Sequence, residues 1–254
     1  MEYIEKLFSL TDKTAIVTGA RRGLGREMAN ALHLAGARVI GVDKSKIEGE
    51  LYETYQCDIE NENEIDRLVE HCNEQFDTLD ILINNAGVGF AHNFLDYPIE
   101  DWETTYKVNL RAPFLLTQGL SPLLIKNKSG SIINITSLNS EMAFPDNPAY
   151  IAAKGGLKLL SKSFAYELGK YGIRVNNIGP GYFKTRFHSQ DGRIKSLNWE
   201  DSVRLKERAG KTLLGRWGEP KDVVGLAIFL CSDSSSYITG QDIYVDGGWL
   251  TKGM

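Results

Sequence analysis

The sequence predicts an α/β fold. Three observations carry that expectation. Short apolar runs rich in β-branched residues recur at residues 14–18, 38–42, 79–83, 131–136, 173–178 and 243–245; runs of that length bounded by turn residues read as buried strands. Segments with apolar residues at helical spacing stand between them, at 26–35, 62–76, 101–116, 150–169 and 219–230. The first strand runs into Gly19, Ala20, Arg21, Arg22, Gly23, Leu24 and Gly25, a glycine turn that opens a helix.

Taken in order, residues 1–12 are a lead-in to the strand at 14–18. The helix after the glycine turn ends at Gly36 and Ala37, and the strand at 38–42 ends at Asp43. Strand, glycine turn, helix, strand and acidic residue is the order of a dinucleotide-binding unit. Gly19, Gly23 and Gly25 let the backbone turn tightly and approach a pyrophosphate, whose charge the helix N-terminus meets. The spacing is Gly-x-x-x-Gly-x-Gly. Asp43 lies 18 residues beyond Gly25 (43 − 25), where a carboxylate accepts hydrogen bonds from the ribose hydroxyls and repels a 2′-phosphate. That favours NAD. Arg21, Arg22 and Lys44 stand against it, because they can hold a 2′-phosphate; NADP is the alternative, and exposed side chains of no function are the plain reading of these three.

Residues 52–57 form a short polar strand, after which Asp58 and Ile59 reach the carboxyl edge where α/β sheets bind ligands. Asp58 is a candidate to bond the adenine amino group or to cap the helix at 62–76. The strand at 79–83 leads into Asn84, Asn85, Ala86 and Gly87, small and amide residues suited to a backbone that lies close to a ligand. Residues 88–100 are a loop. The helix at 101–116 carries Asn109 in an apolar stretch. A buried amide needs partners, and it either organises a water or is a satisfied structural amide. Residues 125–130 form a polar turn into the strand at 131–136.

Ser137 leaves the end of that strand. Tyr150 and Lys154 open an alanine-rich helix four positions apart, so both project from one face. A phenol has an unperturbed pKa near 10 and is a poor base at neutral pH. At roughly 4–5 Å and an effective dielectric near 20, a neighbouring ammonium stabilises phenolate by about 3–4 kcal/mol, or roughly two to three pH units. Desolvation of the phenol opposes this. Ser137 can donate a hydrogen bond to a carbonyl or alkoxide oxygen. The Tyr-x-x-x-Lys spacing is common by itself; its surroundings decide its meaning.

The helix then carries Leu157, Leu160, Phe164 and Leu168 on one stripe. Gly179, Pro180 and Gly181 end the next strand, and Thr185 follows. Residues 182–217 lack a clean buried pattern. From Lys184 to Lys211 there are eight basic and four acidic residues, a local balance of +4 in a chain of net charge −4. Long irregular segments in compact domains are often lids, and a basic lid suits an anionic small-molecule substrate; a solvated helix face is the alternative. A helix at 219–230, the strand at 243–245 and the turn at Asp246, Gly247 and Gly248 complete the chain.

The 254 residues suit one large α/β domain or two small ones, and no repeat, linker or low-complexity stretch divides them. Hydrophobic content of 42% and charged content of 24% are those of an ordinary globular chain. A net charge of −4 offers no global field for nucleic acid or an anionic membrane. Cys57, Cys72 and Cys231 are scattered and odd in number, with neither a disulfide framework nor a metal spacing; a reduced, cytoplasmic setting is expected. No signal core stands at the N-terminus and no apolar run approaches 18 residues, so no membrane span is expected.

These residues together resemble the short-chain dehydrogenases/reductases over nearly the whole chain. The carriers are Thr18 with Gly19 to Gly25, Asn84 to Gly87, Asn109, Ser137, Tyr150 with Lys154, and Pro180 with Gly181. The resemblance implies a single Rossmann-type, doubly wound domain over residues 1–254, with a seven-stranded parallel sheet flanked by helices on both faces. It implies a tetrad of Asn109, Ser137, Tyr150 and Lys154. On that resemblance Tyr150 is expected to act as acid and base, Ser137 to position the substrate oxygen, and Lys154 to lower the Tyr pKa and bond the nicotinamide ribose. Asn109 holds a water behind Lys154, and Thr185 meets the carboxamide. It also implies a homotetramer or homodimer that pairs the helices bearing Asn109 and Tyr150. Members acting on sugar acids and polyols, such as gluconate and deoxygluconate dehydrogenases, look similar around residues 137–147 and in the C-terminal run from Gly215 to Gly248; Asn139, Ser140 and Glu141, with His92 and Asn93, can meet hydroxyls. A 3-oxoacyl-carrier-protein reductase is the competing expectation, and a non-catalytic nucleotide-binding scaffold a remote one.

Overall fold

In a computed structural model, residues 2–185 and 202–252 are described. Among them, seven parallel strands form one sheet: β1 (Thr14–Thr18), β2 (Arg38–Asp43), β3 (Glu53–Gln56), β4 (Ile81–Asn84), β5 (Gly130–Ile135), β6 (Ile173–Pro180) and β7 (Asp242–Val245). Their spatial order is β3, β2, β1, β4, β5, β6, β7. The α-helices are α1 (Glu2–Phe8), α2 (Gly23–Leu34), α3 (Glu62–Gln75), α4 (Ile99–Tyr106), α5 (Ala112–Asn127), α6 (Pro148–Leu168), α7 (Ser202–Ala209), α8 (Val224–Cys231) and α9 (Trp249–Lys252).

The strands are apolar on both faces because helices cover both. Along β1, Ala15 and Val17 point into one core with Met28 and Leu32 of α2 and Ala227 and Leu230 of α8. Ile16 points the other way, among Leu68 of α3, Leu116 and Leu120 of α5 and Phe164 of α6. This alternation at period two is the strand geometry itself. The chain leaves β1 toward β2 and β3 on one side, then returns to β4 on the other. The crevice between the carboxyl ends of β1 and β4 is therefore the topological switch point, where open α/β sheets bind ligands.

Several element bounds differ from the sequence reading. The expected helix at 101–116 is longer and composite: α4, a π-helical turn over Lys107–Arg111, then α5 to Asn127. The π-turn inserts a residue into the helical phase, which breaks the apolar stripe that sequence spacing relies on. The expected turn at 125–130 shrinks to Lys128 and Ser129, with Lys128 in the left-handed region at φ 57°. The helix at 219–230 starts as a 3-10 turn, Pro220–Val223. α7 lies within the segment read as a lid or a solvated helix face. The middle of the proposed lid, residues 186–201, lies outside the described residues.

A buried polar chain locks β4 and β5 to α6. Asn84 Nδ2 donates to Asn134 Oδ1 (2.8 Å), Asn134 Nδ2 donates to Ser161 Oγ (2.8 Å), and Ser161 Oγ donates to Leu157 O (2.7 Å). Asn134 is fully buried. Removing its amide takes the shorter of two acceptors from Asn84 Nδ2, leaving Thr117 Oγ1 at 3.4 Å, and removes the donor to Ser161 Oγ in a dry interior. Asn134→Ala should lower the unfolding free energy by about 2–3 kcal/mol, read as a fall in the urea midpoint with an unchanged denaturant slope.

Candidate active site

The glycine turn is shaped by close packing. Gly19 and Gly23 have φ of 68° and 58°, a region that disfavours side chains. A Cβ on Gly25 would stand 2.2 Å from Gly19 O and 2.3 Å from Asn85 Nδ2. Asn85 staples the turn to the end of β4. Its Nδ2 donates to Thr18 O (2.9 Å), while the Asn85 and Ala86 N–H groups donate to Thr18 Oγ1 at 3.0 and 3.1 Å. The Asn85 amide is thus spent on positioning the turn. Arg22 is the N-cap of α2 but makes no side-chain cap bond, and the first turn holds no acidic residue. Backbone N–H groups left without a cap at a glycine-opened helix suit a pyrophosphate.

The other candidate contacts surround this turn. Ala20 N–H donates to Val42 O (3.1 Å), which brings the turn beside Asp43. Asp43 is half-buried and takes the Ser45 N–H on one oxygen (3.0 Å). Arg21, Arg22 and Lys44 are exposed. Asp58 Oδ1 accepts from Glu60 N (3.1 Å). The cap of α3 is Asn61, not Asp58, since Asn61 accepts from Asn63 N (3.0 Å). Ile59 is buried in the core below the edge. Thr185 faces the turn from the far side, with Cγ2 3.4 Å from a Cβ built on Gly23. Thr185, Arg22, Gly23 and Pro220 line a cleft of about 280 Å³. Gly181 packs on Asp246, where a Cβ would come within 2.7 Å of its Cα, and its N–H donates to Val245 O (2.9 Å); Pro180 ends β6.

One strand further, Ser137 follows β5 and its hydroxyl is hydrogen-bonded to Tyr150. Asn139 N–H donates to Ser137 Oγ (3.2 Å), and Ser137 Oγ in turn contacts Asn139 Oδ1 (3.2 Å). Lys154 is 3% exposed; its Nζ donates to Ile135 O (2.6 Å) and lies 5.7 Å from the Tyr150 ring centroid. Asn109 stands in the π-turn with its amide closed on one residue: Oδ1 accepts from Val88 N (2.9 Å) and Nδ2 donates to Val88 O (2.7 Å). Both ends of the side-chain amide thus find partners on Val88. Gly87 lies between, since a Cβ there would sit 3.1 Å from Asn109 Oδ1 and 3.7 Å from Lys154 Nζ.

Electrostatics in this pocket departs from the sequence expectation. Burial pushes the Tyr150 phenol up to about 12, with the Ser137 hydrogen bond opposing. Burial also pushes Lys154 down to about 7. Desolvation at both groups works against the lowering of Tyr150 expected from Lys154. The phenol therefore rests protonated.

The polar residues expected to meet substrate hydroxyls are largely engaged within the protein. Glu141 takes Lys158 Nζ and the Tyr244 hydroxyl, Ser140 Oγ donates to Lys154 O (3.0 Å), and Asn93 caps a 3-10 turn. His92 Nε2 meets Asp101 Oδ2 at 2.6 Å. What sequence reasoning missed is an aromatic wall beside them. Phe144 and Tyr182 pack on Trp249 at 5.4 and 6.2 Å between ring centroids, and Trp217 packs on Tyr182 at 5.4 Å. Asn147 Oδ1 and Trp249 Nε1 are buried without a hydrogen-bond partner among the described residues. These positions come from four separate stretches, so no local spacing marks them. Among the described residues no cluster of His, Cys, Asp and Glu could hold a metal, and no helix is long and apolar enough to cross a membrane.

Residues 19–250 match the family model described as Enoyl-(Acyl carrier protein) reductase, a short-chain dehydrogenase/reductase model. The chain belongs to the short-chain dehydrogenases/reductases. It is an NAD(P)-dependent oxidoreductase acting on CH–OH groups. It is 34% identical over 255 residues to the "5-keto-D-gluconate 5-reductase" of Escherichia coli (strain K12), covering 96% of this chain and 98% of that one. It is 36% identical over 264 residues to the "2-dehydro-3-deoxy-D-gluconate 5-dehydrogenase" of Bacillus subtilis (strain 168), covering 99% and 100%. A gluconate 5-dehydrogenase from Burkholderia cenocepacia J2315, crystallised with NADP and tartrate, superposes with a TM-score of 0.87 at 29% identity, covering 98% of this chain and 99% of that one.

The buried lysine has a measurable signature. Its folded pKa lies below its ordinary 10.5, so between about 7 and 10.5 the unfolded chain holds the extra proton. The penalty is full below about 7 and fades as pH rises toward 10.5. Relative to Lys154→Met, wild-type stability should rise from pH 7 to pH 10 by a few kcal/mol, at about 1.36 kcal/mol per pH unit. Parallel curves in chemical denaturation would show that Lys154 keeps its charge.

Proposed function

We propose that this protein interconverts a secondary hydroxyl and a ketone on a sugar acid, with Tyr150 as the proton-transfer group. The hydrogen bond between Ser137 and a protonated, half-buried Tyr150, with Lys154 behind it, is the observation that supports this most. The sugar-acid names of the similar proteins support the substrate class.

In the reducing direction, Ser137 donates a hydrogen bond to the substrate carbonyl oxygen and Tyr150 gives that oxygen its proton. The resulting phenolate is held by the Lys154 ammonium, whose own proton is favoured once negative charge develops beside it. In the oxidising direction Tyr150 takes the proton back. When bound, the nicotinamide supplies or accepts the hydride. Asn109 holds the Val88 backbone and so fixes the wall behind Lys154. The glycine turn and the open N-terminus of α2 hold the pyrophosphate, and Thr185 closes the cleft over Gly23.

Asp43 supports NAD as the preferred cofactor, because a carboxylate beside the adenosine ribose repels a 2′-phosphate. Exposed apolar side chains on the helices bearing Asn109 and Tyr150, namely Trp102, Tyr106, Leu159 and Tyr166, support a homo-oligomer that pairs those helices.

Initial rates on two axes test this reading. One axis sets NAD(H) against NADP(H); the other sets gluconate, 5-ketogluconate and glucitol against an acetoacetyl thioester. Turnover of a sugar acid with NAD is expected, and Asp43→Ala should shift the ratio of kcat/KM values toward NADP by about tenfold or more. Reduction of the thioester alone would replace the sugar-acid reading with a carrier-protein substrate. An unchanged ratio in Asp43→Ala would remove Asp43 as the selector.

A further inference from the structure

The hydroxyl-bearing substrate proposed above also carries a carboxylate, and one cation on the aromatic wall has no counter-charge among the described residues. Arg208 is in the last turn of α7, on the C-terminal side of the segment read as a lid. Its guanidinium lies 5.5 Å from the Tyr182 ring centroid and 5.9 Å from that of Trp217. Neighbouring cations are matched: Lys184 and Lys221 pair with Glu219, and Arg216 pairs with Asp222. Among the described residues Arg208 has no such pair, and its partners are ring faces.

Stacking on two aromatic faces fixes the guanidinium plane while leaving its N–H edge free to donate, which is the arrangement that takes a carboxylate in two parallel bonds. The rings link Arg208 to the segments that carry the site. Tyr182 directly follows Gly181 at the carboxyl edge of the sheet, and Trp249 stands edge-on to Tyr182, 6.2 Å away at 87°. Phe144, which packs on Trp249, belongs to the segment between Ser137 and Tyr150. Trp249 is 3% exposed and its indole N–H has no partner among the described residues. A buried donor left unpaired costs free energy, so a ligand oxygen there is favoured.

We infer that Arg208 receives the carboxylate of the substrate, with the indole N–H of Trp249 as a second donor and the rings of Phe144 and Tyr182 against the carbon chain. This rests on the sugar-acid reading and adds to it the residues that select an acid over the matching neutral polyol.

Steady-state kinetics on gluconate and glucitol tests it in wild type, Arg208→Gln, Arg208→Lys and Trp249→Phe. Arg208→Gln should raise KM for gluconate about 10- to 100-fold, the range lost with a charge-assisted pair, while KM for the nicotinamide cofactor stays unchanged. The ratio of gluconate to glucitol kcat/KM should fall with it. Arg208→Lys should recover part of the loss, because it keeps the charge without the fork. Trp249→Phe keeps a ring and removes the donor, and should raise KM for gluconate by about three- to tenfold. An unchanged gluconate KM in Arg208→Gln, or equal losses on gluconate and glucitol, would overturn the assignment while leaving the sugar-acid reading intact. Failure of wild type to turn over any sugar acid would instead remove that reading, and the carboxylate site with it.

Discussion

Lys154 is a charged side chain placed where water is excluded, and the rest of the site is arranged around that burial. Lys154 is 3% exposed, and its ammonium donates to the carbonyl of Ile135 at the end of β5. That bond ties the catalytic helix to the strand that delivers Ser137. It also leaves the ammonium under-compensated, which is why its pKa falls and why the phenol beside it stays protonated. Structures carry such a cost where function needs it. Here the gain is a lysine ready to take up or release charge as Tyr150 gains or loses its proton.

Two devices keep this pocket in register. Buried amides do the first part of the work: Asn134 joins β4, β5 and α6, Asn85 joins β4 to the glycine turn, and Asn109 holds Val88 in a two-bond clamp. Each saturates a backbone or side-chain partner that would otherwise be orphaned in the interior. Glycines do the second part by letting these segments touch. Gly19, Gly25 and Gly87 leave no room for a Cβ beside Asn85 and Asn109 without displacement or crowding. The switch point of the sheet then sets the cleft for a dinucleotide directly beside Ser137 and Tyr150.

The fold was legible because its signals are local. β1, the glycine turn and β2 follow one another in the chain, and the apolar runs of the parallel strands lack the alternation that would confuse them with a half-exposed sheet. The i, i+4 spacing of Tyr150 and Lys154 translates directly into a shared helix face. Three features were hidden. The π-turn at Lys107–Arg111 shifts helical phase, so spacing could not follow the helix through it. The electrostatic balance at Tyr150 depends on how completely the pocket excludes water, which no spacing records; attraction alone gave the opposite direction. The wall of Phe144, Tyr182, Trp217 and Trp249 with Arg208 joins distant stretches, and α7 carries too few apolar residues to announce a packed helix. The hydroxyl-binding roles suggested for Asn93, Ser140 and Glu141 read polarity as availability, whereas these side chains are engaged in caps and internal bonds.

The central claim is that the Tyr150 phenol carries the proton. Replacing it with phenylalanine keeps the ring and the packing and removes only the hydroxyl. Tyr150→Phe should lower kcat/KM for the sugar acid by about 10²- to 10⁴-fold, the usual worth of a positioned acid–base group. Binding of the reduced nicotinamide, followed by its fluorescence, should stay at the wild-type value. Near-normal turnover with intact cofactor binding would contradict the account, and would place the proton donor elsewhere in the pocket.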